Sequence, residues 1–279
     1  MWIKLANMRL IDREAGGQPE RVTSGDPVAM SGRGHGGVGP PSGFRVAVVA
    51  ARQLTPTVHA IEVGKPATFG FRAIQFTFLQ VRTEVGLDAR PMSLATSPTR
   101  PHLEYAARTS DSPFKRAFVA LRPGDEVGVF GPIGDFVLDE TRPAVLVAGG
   151  IGITPLKGMA EYAADLALPI PIRLIYSNRS EDEVAYRDEL ATLENHNHRF
   201  RVLHTLTGAP GPGWPGTVGR IDDHLLQQAA FDLEEPVHYV SGTPGFVVSV
   251  WRLLRAAGIA AEDIRVEAFR GYASAGVGP

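Results

Sequence analysis

The chain has 279 residues, long enough for two domains that each bury a core. Its formal charge of -2 and its 21% of charged residues are those of a soluble globular protein, and no basic run is dense enough for nucleic acid or a membrane surface. The absence of cysteine excludes disulfides, thiolate zinc sites and a cysteine-ligated iron–sulfur cluster within the chain. No apolar stretch reaches the length of a membrane span, and the first residues lack the unbroken core of a secretion signal, so the expected location is cytoplasmic.

Residues 1–43 are dense in glycine and proline from Gly16 onward, a composition that cannot offset its ordering entropy, and this segment is expected to be disordered, with a tethering arm for a partner as the alternative. From Phe44 the texture is β. Short runs at Phe44–Ala50, Thr57–Val63, Gln75–Arg82, Met92–Ala95, Leu103–Arg108 and Glu126–Phe130, split by Gly, Pro and Asp signals, predict an antiparallel barrel or sandwich. One helix interrupts it, starting near Ser112-Pro113 with Phe114, Ala117, Phe118 and Leu121 inward. A linker, Asp139 to Pro143, closes this part.

From Ala144 strands and helices alternate, which predicts a doubly wound parallel sheet with its ligand beyond the carboxyl ends of the strands. Ala144–Ala148, Ile170–Tyr176, Phe200–Leu206, Val237–Val240 and Ile264–Phe269 read as its strands. Ser180 to Glu183 is a capping box that predicts a helix to about Leu193, and further helices follow at Asp222–Ala230 and from Phe246 to Gly258. The first strand runs into Gly149-Gly150-Ile151-Gly152-Ile153-Thr154-Pro155, a glycine turn in which Thr154 is expected to cap a helix that has Pro155 at its first position and Leu156, Met159, Ala160, Ala163 and Ala167 inward. A helix N-terminus leaving such a turn suits a phosphate. Ser241-Gly242-Thr243-Pro244 repeats the pattern, and two such turns at one sheet edge point to a nucleotide. Neither turn is the dinucleotide fingerprint or a P-loop.

Five motifs in order, Arg90-Pro91-Met92-Ser93, Gly131 to Phe136, Ala148 to Pro155, Ser241 to Pro244 and Glu267-Ala268-Phe269, resemble the ferredoxin:NADP reductase superfamily. The resemblance covers about Phe44 to Tyr272. It implies an FAD-binding β-barrel domain at 44–142 and an NAD(P)-binding α/β domain at 143–279, with hydride passing between the two cofactors. Arg90 would bind the FAD pyrophosphate, helped by Lys115 and the helix start at Ser112, with Arg108 a further candidate. Ser93 would lie near flavin N5, and Met92 stands where tyrosine is usual. In the second domain Gly149, Gly150, Gly152, Thr154, Gly242 and Pro244 would hold the nicotinamide dinucleotide. Ser241 replaces a common cysteine beside the nicotinamide, Glu267 would relay a proton, and Phe269 would cover the flavin, with Tyr272 its rival. Arg179 is the one cation well placed for a 2′-phosphate, a sparse setting that leans toward NADH.

What the resemblance implies is an FAD-dependent NAD(P)H oxidoreductase that uses NADH or NADPH, contains no metal site, and passes electrons to a separate ferredoxin- or flavodoxin-like carrier or a small acceptor. A reductase subunit of an oxygenase or dehydrogenase is the alternative partner-bound form. A flavin-binding regulatory protein with little turnover is the alternative outside enzymes.

Overall fold

The computed structural model describes residues 43–73 and 75–269. The segment expected to be disordered lies outside these residues except for Gly43, and so does Tyr272. The first sheet is antiparallel and has six strands: β1 (Gly43–Thr55), β2 (Val58–Gly64), β3 (Phe76–Thr83), β4 (Gly86–Ser93), β5 (His102–Arg108) and β6 (Glu126–Ile133), in the order β4-β3-β6-β1-β2-β5. It curls around one core in which Val48, Val63, Leu79, Leu103, Tyr105 and Val129 meet Phe114 and Phe118 of α1 (Pro113–Ala120). Irregular register within the long β1 lets it bend and pair β6 at one end and β2 at the other. The β4 strand starts six residues before the expected Met92, pairing β3 from Gly86↔Thr83 to Ser93↔Phe76. Its proline and its charged Asp88 and Arg90 obscure the apolar pattern, and an edge strand tolerates all three.

The second sheet is parallel: β7 (Ala144–Gly149), β8 (Ile172–Asn178), β9 (Phe200–Leu206), the two-residue β10 (Thr217–Val218), β11 (Val237–Gly242) and β12 (Ile264–Ala268). The order β10-β9-β8-β7-β11-β12 reverses direction between β7 and β11. At such a switch point the connections leave on opposite faces and open a crevice at the carboxyl ends. Alternate residues of β7 enter different cores, Leu146 and Ala148 on one face, Val145 and Val147 on the other, which is why the run is apolar throughout. Helices α2 (Ile153–Asp165) and α3 (Arg187–His196) contribute to the first of these cores, and α4 (Asp223–Ala230) and α5 (Pro244–Ala256) to the second. The first core continues into Val58, Ala60, Ala95 and Ala106 of the barrel, so the two sheets share apolar surface.

Three local expectations fail. Thr154 does not cap α2: the helix grows directly from a 3₁₀ turn at Gly150–Gly152, Pro155 is its third residue, and the Thr154 hydroxyl donates back to the Ile151 carbonyl at 3.2 Å. Ala167 falls beyond the end of that helix, exposed and with φ 49°. The Ser180 box opens only a 3₁₀ turn at Glu181–Glu183, because Val184, Ala185 and Tyr186 turn inward and are at most 6% exposed. The helix then begins at Arg187, after Tyr186 with φ 61°.

Candidate active site at the junction of the two sheets

The carboxyl ends of β11 and β12 face the end of β4. Ser241 and Glu267 are direct neighbours in the parallel register and therefore share a face of the sheet. The Ser93 hydroxyl, from the barrel, donates to Glu267 Oε1 at 3.1 Å. The other carboxylate oxygen, Glu267 Oε2, and the fully buried Ser241 Oγ have no hydrogen-bond partner among the described residues. Buried polar atoms are rarely left so, and two side by side point to a polar ligand that completes them. Burial pushes the Glu267 carboxyl up to about 7, against the lowering effect of the Ser93 bond. A group poised there can hold or release a proton near neutrality. Phe269 follows just past the end of β12, half-buried, with its backbone N–H donated to the Gly242 carbonyl at 2.8 Å.

The glycines of the two turns divide by what lies above them. A Cβ on Gly149 or on Gly242 would lie 2.7 Å from the ring of Phe246, and one on Gly152 would overlap the Ser241 carbonyl. These three are small because protein packs on them. Gly150 differs: its φ is +52°, and the nearest atom a Cβ would meet is Arg108 Nη2 at 3.5 Å. Arg108, at the end of β5, also donates to Thr57 Oγ1 at 2.8 Å and lies 3.3 Å from Glu183 Oε2 of the second domain. Thr154 is 2% exposed beneath the turn, while Pro244 opens α5, capped by the Thr243 hydroxyl.

On the barrel side the Ser112 hydroxyl caps α1 by accepting from the Lys115 backbone N–H. Burial alone pushes the half-buried Lys115 ammonium down to about 8, and an anion beside it would restore the charged form. Arg90 is partly exposed and paired with Asp88 at 2.8 Å, its neighbour two residues away on the same face of β4. Met92 packs in the barrel core at 9% exposure. Arg179 is exposed after β8, and its carbonyl accepts from Gly208 at 2.9 Å. The residues sequence reasoning missed are Phe246, which reads as an ordinary buried helix position, and Lys157, whose i,i+4 spacing to Glu161 looks like a solvated helix pair.

Residues 146–251 match the family described as oxidoreductase NAD-binding domain. Ferredoxin–NADP reductase B of Sorangium cellulosum is 30% identical over 188 residues, 65% of this chain and 77% of that protein. A flavohemoprotein of Deinococcus radiodurans is 28% identical over 251 residues, and there the chain spans 85% of itself but only 60% of its relative. In shape, the ferredoxin NADP+ reductase of Neisseria gonorrhoeae, solved with bound FAD and NADP, superposes with a TM-score of 0.71 at 23% identity, covering 81% of this chain and 98% of that one. The chain belongs to the ferredoxin:NADP reductase superfamily of FAD- and NAD(P)H-dependent oxidoreductases.

Proposed function

We propose that this protein is a cytoplasmic NADH oxidoreductase in which residues 44–142 hold FAD and residues 143–279 hold the nicotinamide dinucleotide, with a separate one-electron carrier as acceptor. The observation that carries this reading is the junction of Ser93, Glu267 and Ser241, where two domains meet over two unpartnered buried oxygens. FAD, when bound, accepts a hydride from the reduced nicotinamide and releases its electrons to the acceptor. The chain's own residues do the rest. Lys115, Arg90 and the capped start of α1 supply positive charge for a diphosphate, and a planar guanidinium fork matches it in shape. Gly150, whose left-handed backbone meets only the Arg108 guanidinium at the Cβ position, offers its turn and that cation to the second diphosphate. Ser241 Oγ and Glu267 Oε2 offer hydrogen bonds to a carboxamide, and Ser93 holds Glu267 in place. No triad or metal is required, because the reaction asks for alignment in a water-poor cleft.

The test is NADH oxidation under steady-state conditions, first with ferricyanide and then with a ferredoxin. Turnover with ferricyanide that is lost in Glu267→Ala supports the site. A protein that binds FAD yet does not oxidise either coenzyme would sink the reading in favour of a flavin-binding regulator.

A further inference from the structure

Lys157 is 4% exposed, one turn into α2 and three residues past Thr154. Its ammonium donates to the Ala95 carbonyl at 3.0 Å, to Glu104 Oε2 of β5 at 3.1 Å and to Glu161 Oε1 on its own helix at 2.6 Å, with Glu189 Oε2 of α3 at 3.8 Å. Arg52 of β1 bridges Glu104 and Glu189, and the Ser97 backbone N–H donates to Glu161 Oε2 at 3.1 Å. The Tyr186 ring lies 4.8 Å below Lys157, on the residue with left-handed backbone that precedes α3. Burial would lower the Lys157 ammonium, but Glu104, Glu161 and Glu189 outweigh it and hold the group above the ordinary lysine value. It is an ion whenever the protein is folded near neutrality.

The contacts Lys157–Ala95, Lys157–Glu104, Arg52–Glu189 and Ser97–Glu161 all cross from one sheet's domain to the other. Buried ion pairs add little net stability, because desolvation offsets their attraction, and they are weak evidence for a stabilising role. Their bonds are directional, whereas the alanine and valine surface shared by the two sheets permits small slides. The placement also matters. The Lys157 helix is the continuation of the Gly150–Gly152 turn, and the Glu104 strand ends at Arg108, which faces Gly150. The cluster therefore lies between the same two elements that approach each other at the candidate site.

We propose that Lys157 is a positioning residue: with Glu104, Arg52 and Glu189 it fixes the angle at which the glycine-turn helix docks on the barrel, and with it the approach of the nicotinamide to the flavin. The second half of this statement rests on the oxidoreductase reading given above; the first does not.

The experiment uses Lys157→Met, Lys157→Met with Glu104→Gln to remove the carboxylate left behind, and Lys157→Arg to keep the charge. Because the chain has no cysteine, Val85→Cys and Phe231→Cys, on exposed sites of the two domains, take spin labels without background. Labels on the full chain as purified, with no coenzyme added, should give one narrow distance distribution. It should broaden or shift in both Lys157→Met proteins and recover in Lys157→Arg. In single-turnover flavin reduction by saturating NADH, the double variant should be slower by roughly ten- to a hundredfold, the scale of an ångström of misplacement. Its affinity for NAD+ should stay within about threefold, less than 1 kcal/mol. An unchanged distribution in a folded double variant overturns the clamp. A changed distribution with an unchanged reduction rate overturns its link to hydride transfer. Arg52→Gln, at the exposed rim, gives the same two readouts in smaller measure if the core variants do not fold, and no change in either would count against the proposal. If the parent protein shows no reduction by NADH, the oxidoreductase reading fails, while the distance measurement still decides the clamp.

Discussion

Ser93, the last residue of barrel strand β4, donates its hydroxyl across 3.1 Å to Glu267, which lies 174 positions further along the chain at the end of the parallel sheet. The bond ties the two domains at the point where a reacting pair would meet. It also leaves one carboxylate oxygen of Glu267 buried and without a partner among the described residues.

Glu267→Gln should change both stability and rate with pH. Its carboxyl is raised from 4.5 to about 7, so the folded state holds the proton more tightly, and stability is lost as pH rises through that window. Flavin-free Glu267→Gln should therefore be more stable than the parent at pH 8, by up to roughly 3 kcal/mol, and equal to it near pH 4.5. Urea midpoints at the two pH values check this. Flavin reduction by NADH should lose an inflection near pH 7 in the same variant.

His238 works in the opposite direction. It is 2% exposed, and burial pushes its imidazole down from 6.5 to about 4. The unfolded chain then binds the extra proton, so stability is full above pH 6.5 and falls as the medium is acidified toward pH 4, by roughly 3 kcal/mol for this group. His238→Asn should flatten that part of the pH–stability curve. An unaltered slope between pH 6.5 and 4.5 would mean that the imidazole is solvated.

Arg90→Ala and Lys115→Ala should each release most of the flavin, since a diphosphate taken out of water without its cations is costly. Flavin absorbance after gel filtration measures it. Lys115, at about 8, should also make FAD affinity decline between pH 7 and pH 9, because a neutral amine no longer attracts the diphosphate.

The architecture was legible because its signals are local and repeated: short β runs with turn residues, then apolar strands alternating with capped helices. β4 was half missed because Asp88, Arg90 and Pro91 leave this edge strand without apolar alternation. The helix start at Ser180 was misplaced because burial of Tyr186 outweighs a cap contributing about 1 kcal/mol. In the candidate site, the residues at strand ends could be named from motifs. What they do to one another could not, since the Ser93–Glu267 bond and the Lys157 cluster depend on how two domains dock, and no local pattern encodes that.

Coenzyme choice should favour NADH. Arg179 follows β8 and is exposed, while β9 runs into Thr207-Gly208 with no basic residue before Arg220, thin support for a dianionic 2′-phosphate. A preference for NADPH above roughly a hundredfold in kcat/KM, about 2.7 kcal/mol, would contradict this.

Phe269→Ser should bind the oxidised coenzyme more tightly and turn over more slowly, if the ring competes with the nicotinamide for one place. Titration against the flavin spectrum and stopped-flow reduction separate the two effects. Unchanged affinity in Phe269→Ser, with a gain in Tyr272→Ser, would transfer the covering role to Tyr272.

The ring of Phe246 lies against both Gly149 and Gly242, the ends of two strands that meet at the switch point. Neither glycine can acquire a side chain while that ring is in place, and a smaller residue at 246 would open a gap beneath both turns. The three positions are thus a single packing unit, in which a side chain at either glycine requires a change at 246, although Gly149 and Phe246 lie almost a hundred residues apart.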